Sequence, residues 1–369
     1  MNAEKFVRSL LAGAGITVNG DKPWDLQVLD KRIYSRVLSG GMLAVGESYM
    51  DGWWDVPQLD EFINRVLRAE LDKKIRGHWK EMLFVLGSNM LNRQNKRRSR
   101  KVGEEHYDLG NDLYQKMLDK RMNYTSAYWK NASDLDEAQE AKLELVCRKT
   151  ELKAGMKVLD LGCGWGSFAK YAAEKYGVEV TAYNISKEQV QLARELTRGL
   201  PVEIRRQDYR EAEGTYDAVV SIGIMEHVGY RNYRTYMEVV DRCLKKDGIA
   251  LIHTIGGNIS TTHTNAWTDK YIFPNGMLPS VAQLAKAMEG LFVFEDLHNF
   301  GPDYDRTLMA WYENFNKNWP SLKDKYGERF YRMWKFYLLS AAGGFRSRSN
   351  QLFQIVMTRP GRPQPPRIC

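Results

Sequence analysis

A chain of 369 residues with 43% hydrophobic and 27% charged side chains has the composition of a folded protein, long enough for one large domain and a smaller one. Its four cysteines, Cys147, Cys163, Cys243 and Cys369, form no C-x-x-C pair, and its six histidines show no H-E-x-x-H spacing, which argues against a disulfide framework or a protein-bound metal and fits a reducing cytoplasm. The formal charge of +8 is unevenly placed, no apolar run approaches the length of a membrane span, and the first residues lack a signal-peptide pattern.

Residues 1–92 read as a small α+β domain of no net charge. Phe6-Val7, Leu10-Leu11 and Ile16 suggest a short amphipathic helix running into a glycine turn. Residues 26–38 contain a strand-like piece, and 45–55 are turn-rich and aromatic. Residues 59–71 have helical spacing, with Phe62, Val66 and Leu67 on one side. Trp79, Met82, Leu83, Leu86, Met90 and Leu91 continue a helix whose apolar stripe suits a core or a membrane surface equally. It leads into Arg93-Gln94-Asn95-Lys96-Arg97-Arg98-Ser99-Arg100-Lys101, six cations with no acidic residue. Such a run attracts nucleic acid or acidic lipid head groups; a solvated linker is the bland alternative. We divide the chain into an N-terminal lipid- or membrane-associating domain (1–92), a basic linker (93–101) and a catalytic domain (102–369).

After residue 101 the segments Tyr107-Asp108-Leu109-Gly110-Asn111 and Tyr124-Thr125-Ser126-Ala127-Tyr128-Trp129 are dense in aromatic and small polar residues. A helix is expected over 134–149, capped by Asp134. Strands are expected at 158–161, 178–183, 202–204, 218–222, 249–253, 292–295 and 352–358, with helical segments between most of them. That alternation predicts a parallel, doubly wound α/β sheet with its ligand at the carboxyl ends of the central strands. Two insertions, 257–280 and 302–348, interrupt it, and their aromatic content predicts an apolar substrate. The tail, 360–369, is rich in proline and reads as disordered.

The most informative stretch is Val158-Leu159-Asp160-Leu161-Gly162-Cys163-Gly164-Trp165-Gly166, a strand and glycine loop opening a helix at 167–176. Its G-x-G-x-G spacing is not the G-x-G-x-x-G of dinucleotide binders. A ligand without phosphates, such as S-adenosylmethionine, needs room for an amino-acid tail, and Asp160 is placed to meet its ammonium group. Taken alone, the loop could equally be an ordinary glycine-rich turn.

Together with Met225-Glu226-His227-Val228-Gly229, His253-Thr254-Ile255-Gly256, Lys270-Tyr271-Ile272-Phe273-Pro274-Asn275-Gly276 and Asp303-Tyr304-Asp305…Trp311-Tyr312, these motifs resemble the cyclopropane-fatty-acyl-phospholipid synthases. The core is similar to that of the mycolic acid cyclopropane synthases, which lack the N-terminal domain. The resemblance spans about residues 100–358 and is looser over 1–92. It implies a Rossmann-like class I methyltransferase sheet with lid insertions, and transfer of a methyl group from S-adenosylmethionine to a cis double bond of a phospholipid acyl chain. The resulting carbocation loses a proton, with bicarbonate as the base, and closes to a ring.

The chemistry suits these residues. An alkene is a poor nucleophile, so the sulfonium must be aligned with it in a dry pocket. Aromatic faces stabilise a cation without trapping it; Tyr271, Phe273, Trp311 and Tyr312 are candidate substrate contacts, with Tyr304 beside them. By family position Glu226, His253, the backbone at Ile255, Tyr304 and Ser126 form the anion pocket. Ser126 stands where the family usually has cysteine, and its hydroxyl can still donate to an anion. Gly162, Cys163, Gly164 and Asp160 are expected at the methionine end, Ser186 and Gln189 at the ribose, Gln207, Asp208 and Tyr209 at the adenine, and Tyr124 and Thr125 over the carboxylate. No acidic residue ends the second strand, unlike the common methyltransferase pattern. The resemblance also implies a homodimer working on anionic lipids of the bilayer surface, peripheral at the inner membrane face.

Other readings carry different signatures. Another lipid or small-molecule methyltransferase would leave a methyl branch without a ring. A lipid-binding relative weakened by Ser126 would bind cofactor without turnover. A nucleic-acid methyltransferase is disfavoured by insertions without matching cations and by the lack of an N-P-P-Y-type segment.

Overall fold

The computed structural model describes residues 3–71 and 110–369, so the helix expected at 79–91 and the basic linker lie outside the described residues. In chain order the elements are α1 Ala3–Ala12, β1 Gln27–Val28, α2 Ile33–Met50, β2 Trp54–Asp55, α3 Leu59–Arg68, α4 Asn111–Met117 and α5 Leu135–Lys149. Then follow β3 Lys157–Leu161, α6 Ser167–Tyr176, β4 Glu179–Asn184, α7 Lys187–Leu196, β5 Val202–Arg206, β6 Tyr216–Ile222, α8 Met225–Val228, α9 Tyr233–Cys243 and β7 Leu244–Gly257. The last are α10 Ala266–Tyr271, α11 Val281–Met288, β8 Val293–Asn299, α12 Gly301–Asn318, α13 Lys323–Tyr326, α14 Glu328–Arg346 and β9 Asn350–Thr358.

The chain forms two compact units that do not follow chain order. The first comprises Met1–Asn92 together with Thr262–Pro274 and Tyr304–Asn350. Most of both insertions thus groups with the N-terminal segment. The cause is aromatic packing. Tyr49 and Trp54 of the N-terminal segment meet Phe336 of α14, Phe62 packs on Trp54, and Trp267 of α10 packs on Phe336 with ring centroids 4.8 Å apart. Gly46 lies so close to Trp267 that a Cβ there would collide with the indole. The Arg332 guanidinium donates to the carbonyls of Tyr49 and Trp54 and to Asp55 Oδ2. Within this unit the strand-like piece shrinks to β1, which pairs antiparallel with β2. The turn expected from residue 45 begins only after Met50, because α2 runs through it despite a non-helical Gly41 (φ 56°).

The second unit, Arg93–Thr261, Asn275–Asp303 and Gln351–Cys369, holds a seven-stranded sheet in the order β5-β4-β3-β6-β7-β9-β8. All seven expected strands are present. The run from β5 to β7 is parallel, as expected, whereas β8 pairs antiparallel with β9, a correction to an all-parallel sheet. Strand alternation builds two cores. Leu159, Leu161, Val219, Ala250 and Ile252 face one side, where α9 and α11 cover them. Val158, Ala218, Val220, Ile249 and Leu251 face the other, beneath α5, α6 and α7. The expected Asp134 cap is present: its side chain accepts from the Glu137 N–H.

The tail is not the disordered segment expected. Arg359 pairs with Asp241, Arg362 with Glu151 and Arg367 with Asp296, and Lys130 Nζ donates to the Cys369 carbonyl. No described helix is long and apolar enough to cross a membrane.

Candidate functional site

The sheet order reverses between β3 and β6, and the crevice at the carboxyl ends of such strands is where doubly wound folds bind ligands. A cavity of about 180 Å³ lies there, lined by the segments that follow β3, β4, β5 and β6 and by residues 122–125. Of the residues expected to bind cofactor, Tyr124, Thr125, Asp160, Gly162, Cys163, Gly164, Gln189, Gln207, Asp208 and Tyr209 line it. Ser186 does not; it caps α7 by accepting from the Gln189 N–H.

The glycine loop has the geometry its sequence predicts. Gly162 adopts φ +90°, and a Cβ there would collide with the Ile224 side chain, so only glycine fits. The N–H groups of Gly162 and Cys163 donate to the Tyr183 carbonyl at 2.9 and 3.0 Å, which ties the loop to the end of β4.

Asp160 is 2% exposed, and its Oδ2 has no partner. Burial pushes its carboxyl up to about 7, opposed by the charge of Lys142. Lys142, itself buried, is pushed down to about 8, with Asp119 and Asp160 acting against the shift. A buried carboxylate on a cavity wall with an unpartnered oxygen is a site for a ligand cation.

Sequence reasoning missed Lys142, Asn123 and Asn184. Lys142 Nζ donates to Asn123 Oδ1 at 2.9 Å and to Thr125 Oγ1 at 3.2 Å, so α5 holds the 122–125 wall of the cavity. Its signal was a lysine on the apolar face of a helix, between Ala138 and Val146. Asn184 replaces the missing acidic residue at the end of β4. Its Nδ2 donates to Gly164 O and to Gln189 Oε1, both at 2.9 Å. With its amide oxygen so engaged, Gln189 keeps its NH₂ as the group it can offer to a ligand in the cavity.

Glu226 stands on α8, where the Ile255 N–H donates to its Oε1 at 2.6 Å. Its Oε2 is buried without a partner. Burial raises the carboxyl to about 7, opposed by the bond from Ile255. His227, its neighbour, lines the cavity and is lowered to about 4 by burial. His253 is 1% exposed within β7, opposite the last residue of β6; burial holds its pKa well below the usual histidine range, and its Nε2 has no partner. Gly223, another wall residue, donates its N–H to the His253 carbonyl at 2.9 Å. Glu226, Ile255 and His253 therefore belong to one unit, beside the carboxyl end of β6. Ser126 is fully buried, but its hydroxyl donates to the Ala127 carbonyl at 2.9 Å, so in this arrangement the proton expected for an anion is already engaged.

The remaining candidates, Tyr304, Tyr271, Phe273, Trp311 and Tyr312, belong to the first unit. Tyr304 packs on Trp311 and Phe345, and Phe273 meets Tyr337 edge-on. The Tyr271 hydroxyl donates to Glu47 Oε1, which also accepts from Lys270.

Residues 94–355 match the family model of the mycolic acid cyclopropane synthetases. The chain is 51% identical over 358 residues to the cyclopropane-fatty-acyl-phospholipid synthase of Escherichia coli, covering 97% of this chain and 94% of that protein. It is 31% identical to the tuberculostearic acid methyltransferase UfaA1 of Mycobacterium tuberculosis, covering 89% of this chain and 81% of that protein. Among solved structures it is similar to the mycolic acid cyclopropane synthase CmaA1 complexed with SAH and CTAB. That match has a TM-score of 0.67 at 29% identity and covers 70% of this chain and 98% of that one.

Proposed function

Because the chain belongs to the mycolic acid cyclopropane synthetase family and is an S-adenosylmethionine-dependent methyltransferase that forms cyclopropane lipids, we propose that its substrate is the cis double bond of an unsaturated phospholipid acyl chain, and that bicarbonate serves as the base. The observation that supports the reading is two buried atoms without partners, Glu226 Oε2 on α8 and His253 Nε2 on β7 opposite the end of β6, in the unit that also holds the cofactor cavity.

S-adenosylmethionine supplies an electrophilic methyl group. Asp160 would meet its ammonium and Gln189 its ribose, and the loop at Gly162 and Gly164 would leave room for the methionine chain. The apolar walls at Ile222, Ile224 and Val228 exclude water from the reacting centre. Methyl transfer places a cation on the acyl chain, and ring closure then requires loss of one proton. Bicarbonate would supply the base for that proton. The residues present fit such an anion. A carboxyl near pKa 7 keeps its proton in a substantial fraction of molecules and can donate through Oε2, and a neutral imidazole can donate through an Nε2–H. The backbone at Ile255 fixes the carboxyl from its other side.

For the lipid we propose a peripheral enzyme at the inner membrane face, drawn to anionic head groups by the cations of 93–101 and acting as a homodimer. The test is mass spectrometry of vesicles bearing cis-monounsaturated phospholipids, incubated with the protein and S-adenosylmethionine. A gain of one CH₂ with loss of the double bond supports the reading. A saturated methyl branch, the product class named for the relative UfaA1, would replace ring closure by simple methylation. Retained cofactor binding with no change in lipid mass would overturn both.

A further inference from the structure

One fully buried polar side chain has no part in the site as described so far. Gln354 lies in β9 within the apolar run Leu352-Phe353-Gln354-Ile355-Val356-Met357 and is completely enclosed. An amide in such a place needs a partner. Its Nε2 lies 3.2 Å from His253 Nδ1.

We propose that Gln354 is a positioning residue for the reaction: its amide donates to His253 Nδ1 and so keeps the ring in the Nε2–H tautomer, presenting that N–H as a donor to the anion. The inference rests on the reading that Glu226 and His253 hold bicarbonate. With its NH₂ toward the ring and its Oε1 without a partner, the amide donates, so Nδ1 accepts and the single ring proton of a neutral imidazole sits on Nε2. That nitrogen is buried and without a protein partner. Phe300 packs edge-on against the same ring, with centroids 5.7 Å apart and planes at 68°, which holds its orientation. The opposite tautomer would turn an Nε2 lone pair toward the anion, where it would repel rather than bind. A glutamine suits this position better than a carboxylate, which would draw the proton to Nδ1, and better than an apolar residue, which would fix no tautomer.

The test is a two-bond ¹H–¹⁵N correlation spectrum of the full chain with ¹⁵N-labelled histidines, His253 being assigned from the H253Q spectrum. The wild type is expected to show Nδ1 bare and Nε2 protonated. Q354E should move the proton to Nδ1. Q354M should give a mixture, with a kcat lowered about tenfold or more, a weakened dependence on added bicarbonate in CO₂-depleted buffer, and an unchanged KM for S-adenosylmethionine. A wild-type ring protonated on Nδ1 overturns the proposal. So does a Q354M enzyme with the wild-type tautomer and bicarbonate response. The anion reading is separated by H253Q: if that enzyme keeps its turnover and bicarbonate dependence, the anion site itself is wrong. If H253Q is inactive and Q354M is normal, only the role of Gln354 fails.

Discussion

The Ile255 N–H donates to one oxygen of Glu226 at 2.6 Å, while the other oxygen is buried with no partner at all. Half of this carboxyl is therefore structural and half is reserved. In water a glutamate ionises near 4.5, but here burial raises it to about 7. The folded state thus binds a proton that the unfolded chain has released, and Glu226 reduces stability increasingly as pH rises from about 4.5 to about 7. Glu226→Gln keeps an oxygen for Ile255 and removes the ionisation. Its NH₂ can donate where the protonated Oε2 would, so turnover is expected to fall without vanishing, while the protein is stabilised at pH 8 by up to about 3 kcal/mol with little gain at pH 4. Thermal denaturation at both pH values, alongside a turnover assay, checks both halves. Undiminished turnover would show that this carboxyl is no part of the chemistry.

Asp160 gives a different pH signature. Its carboxyl is raised to about 7, and only the ionised form attracts an ammonium. Affinity for S-adenosylmethionine should therefore fall as pH drops below about 7. Asp160→Asn should weaken binding at pH 8 by about tenfold or more and leave a flat pH profile. Lys142→Met removes the charge that favours ionised Asp160, so its binding curve should shift to higher pH. Isothermal titration across pH 6–9 measures all three; a wild-type affinity independent of pH would remove Asp160 from the ammonium site.

Legibility in the sequence followed the physics of each segment. The strands were readable because β3, β6 and β7 are buried on both faces and so appear as apolar runs. The glycine loop was readable because positive φ at Gly162, Gly164 and Gly166 leaves a glycine signature. Lys142, Asn184 and Gln354 were not. Each is a single polar residue within or at the end of an ordinary element, and its partners lie far away in sequence or on another element. The grouping of both insertions with the N-terminal segment was also hidden, since it depends on rings such as Trp267 and Phe336 meeting across long stretches of chain.

Ser126 tests how much a family position says about a side chain. Its hydroxyl donates to the Ala127 carbonyl, a local bond that leaves no proton for an anion. Ser126→Ala is therefore expected to cost about 1 kcal/mol of stability, to lower kcat less than about tenfold and to leave the bicarbonate response intact. A large loss of turnover that added bicarbonate restores would instead place the hydroxyl in the anion pocket.

The cations at 96, 97, 98, 100 and 101 carry the membrane proposal. Residues 1–92 have no net charge, so this run is the concentrated source of attraction in the N-terminal part of the chain. Each cation near an anionic surface contributes about 1 kcal/mol at most, and salt screens it within about a Debye length. Replacing all five by glutamine should weaken binding to vesicles rich in anionic lipid by several kcal/mol at most. It should also flatten the salt dependence, while the S-adenosylmethionine affinity that Asp160 and the glycine loop carry should be unchanged. Vesicle co-sedimentation at low and high salt distinguishes this from docking through apolar contacts, which would survive both the substitutions and the salt.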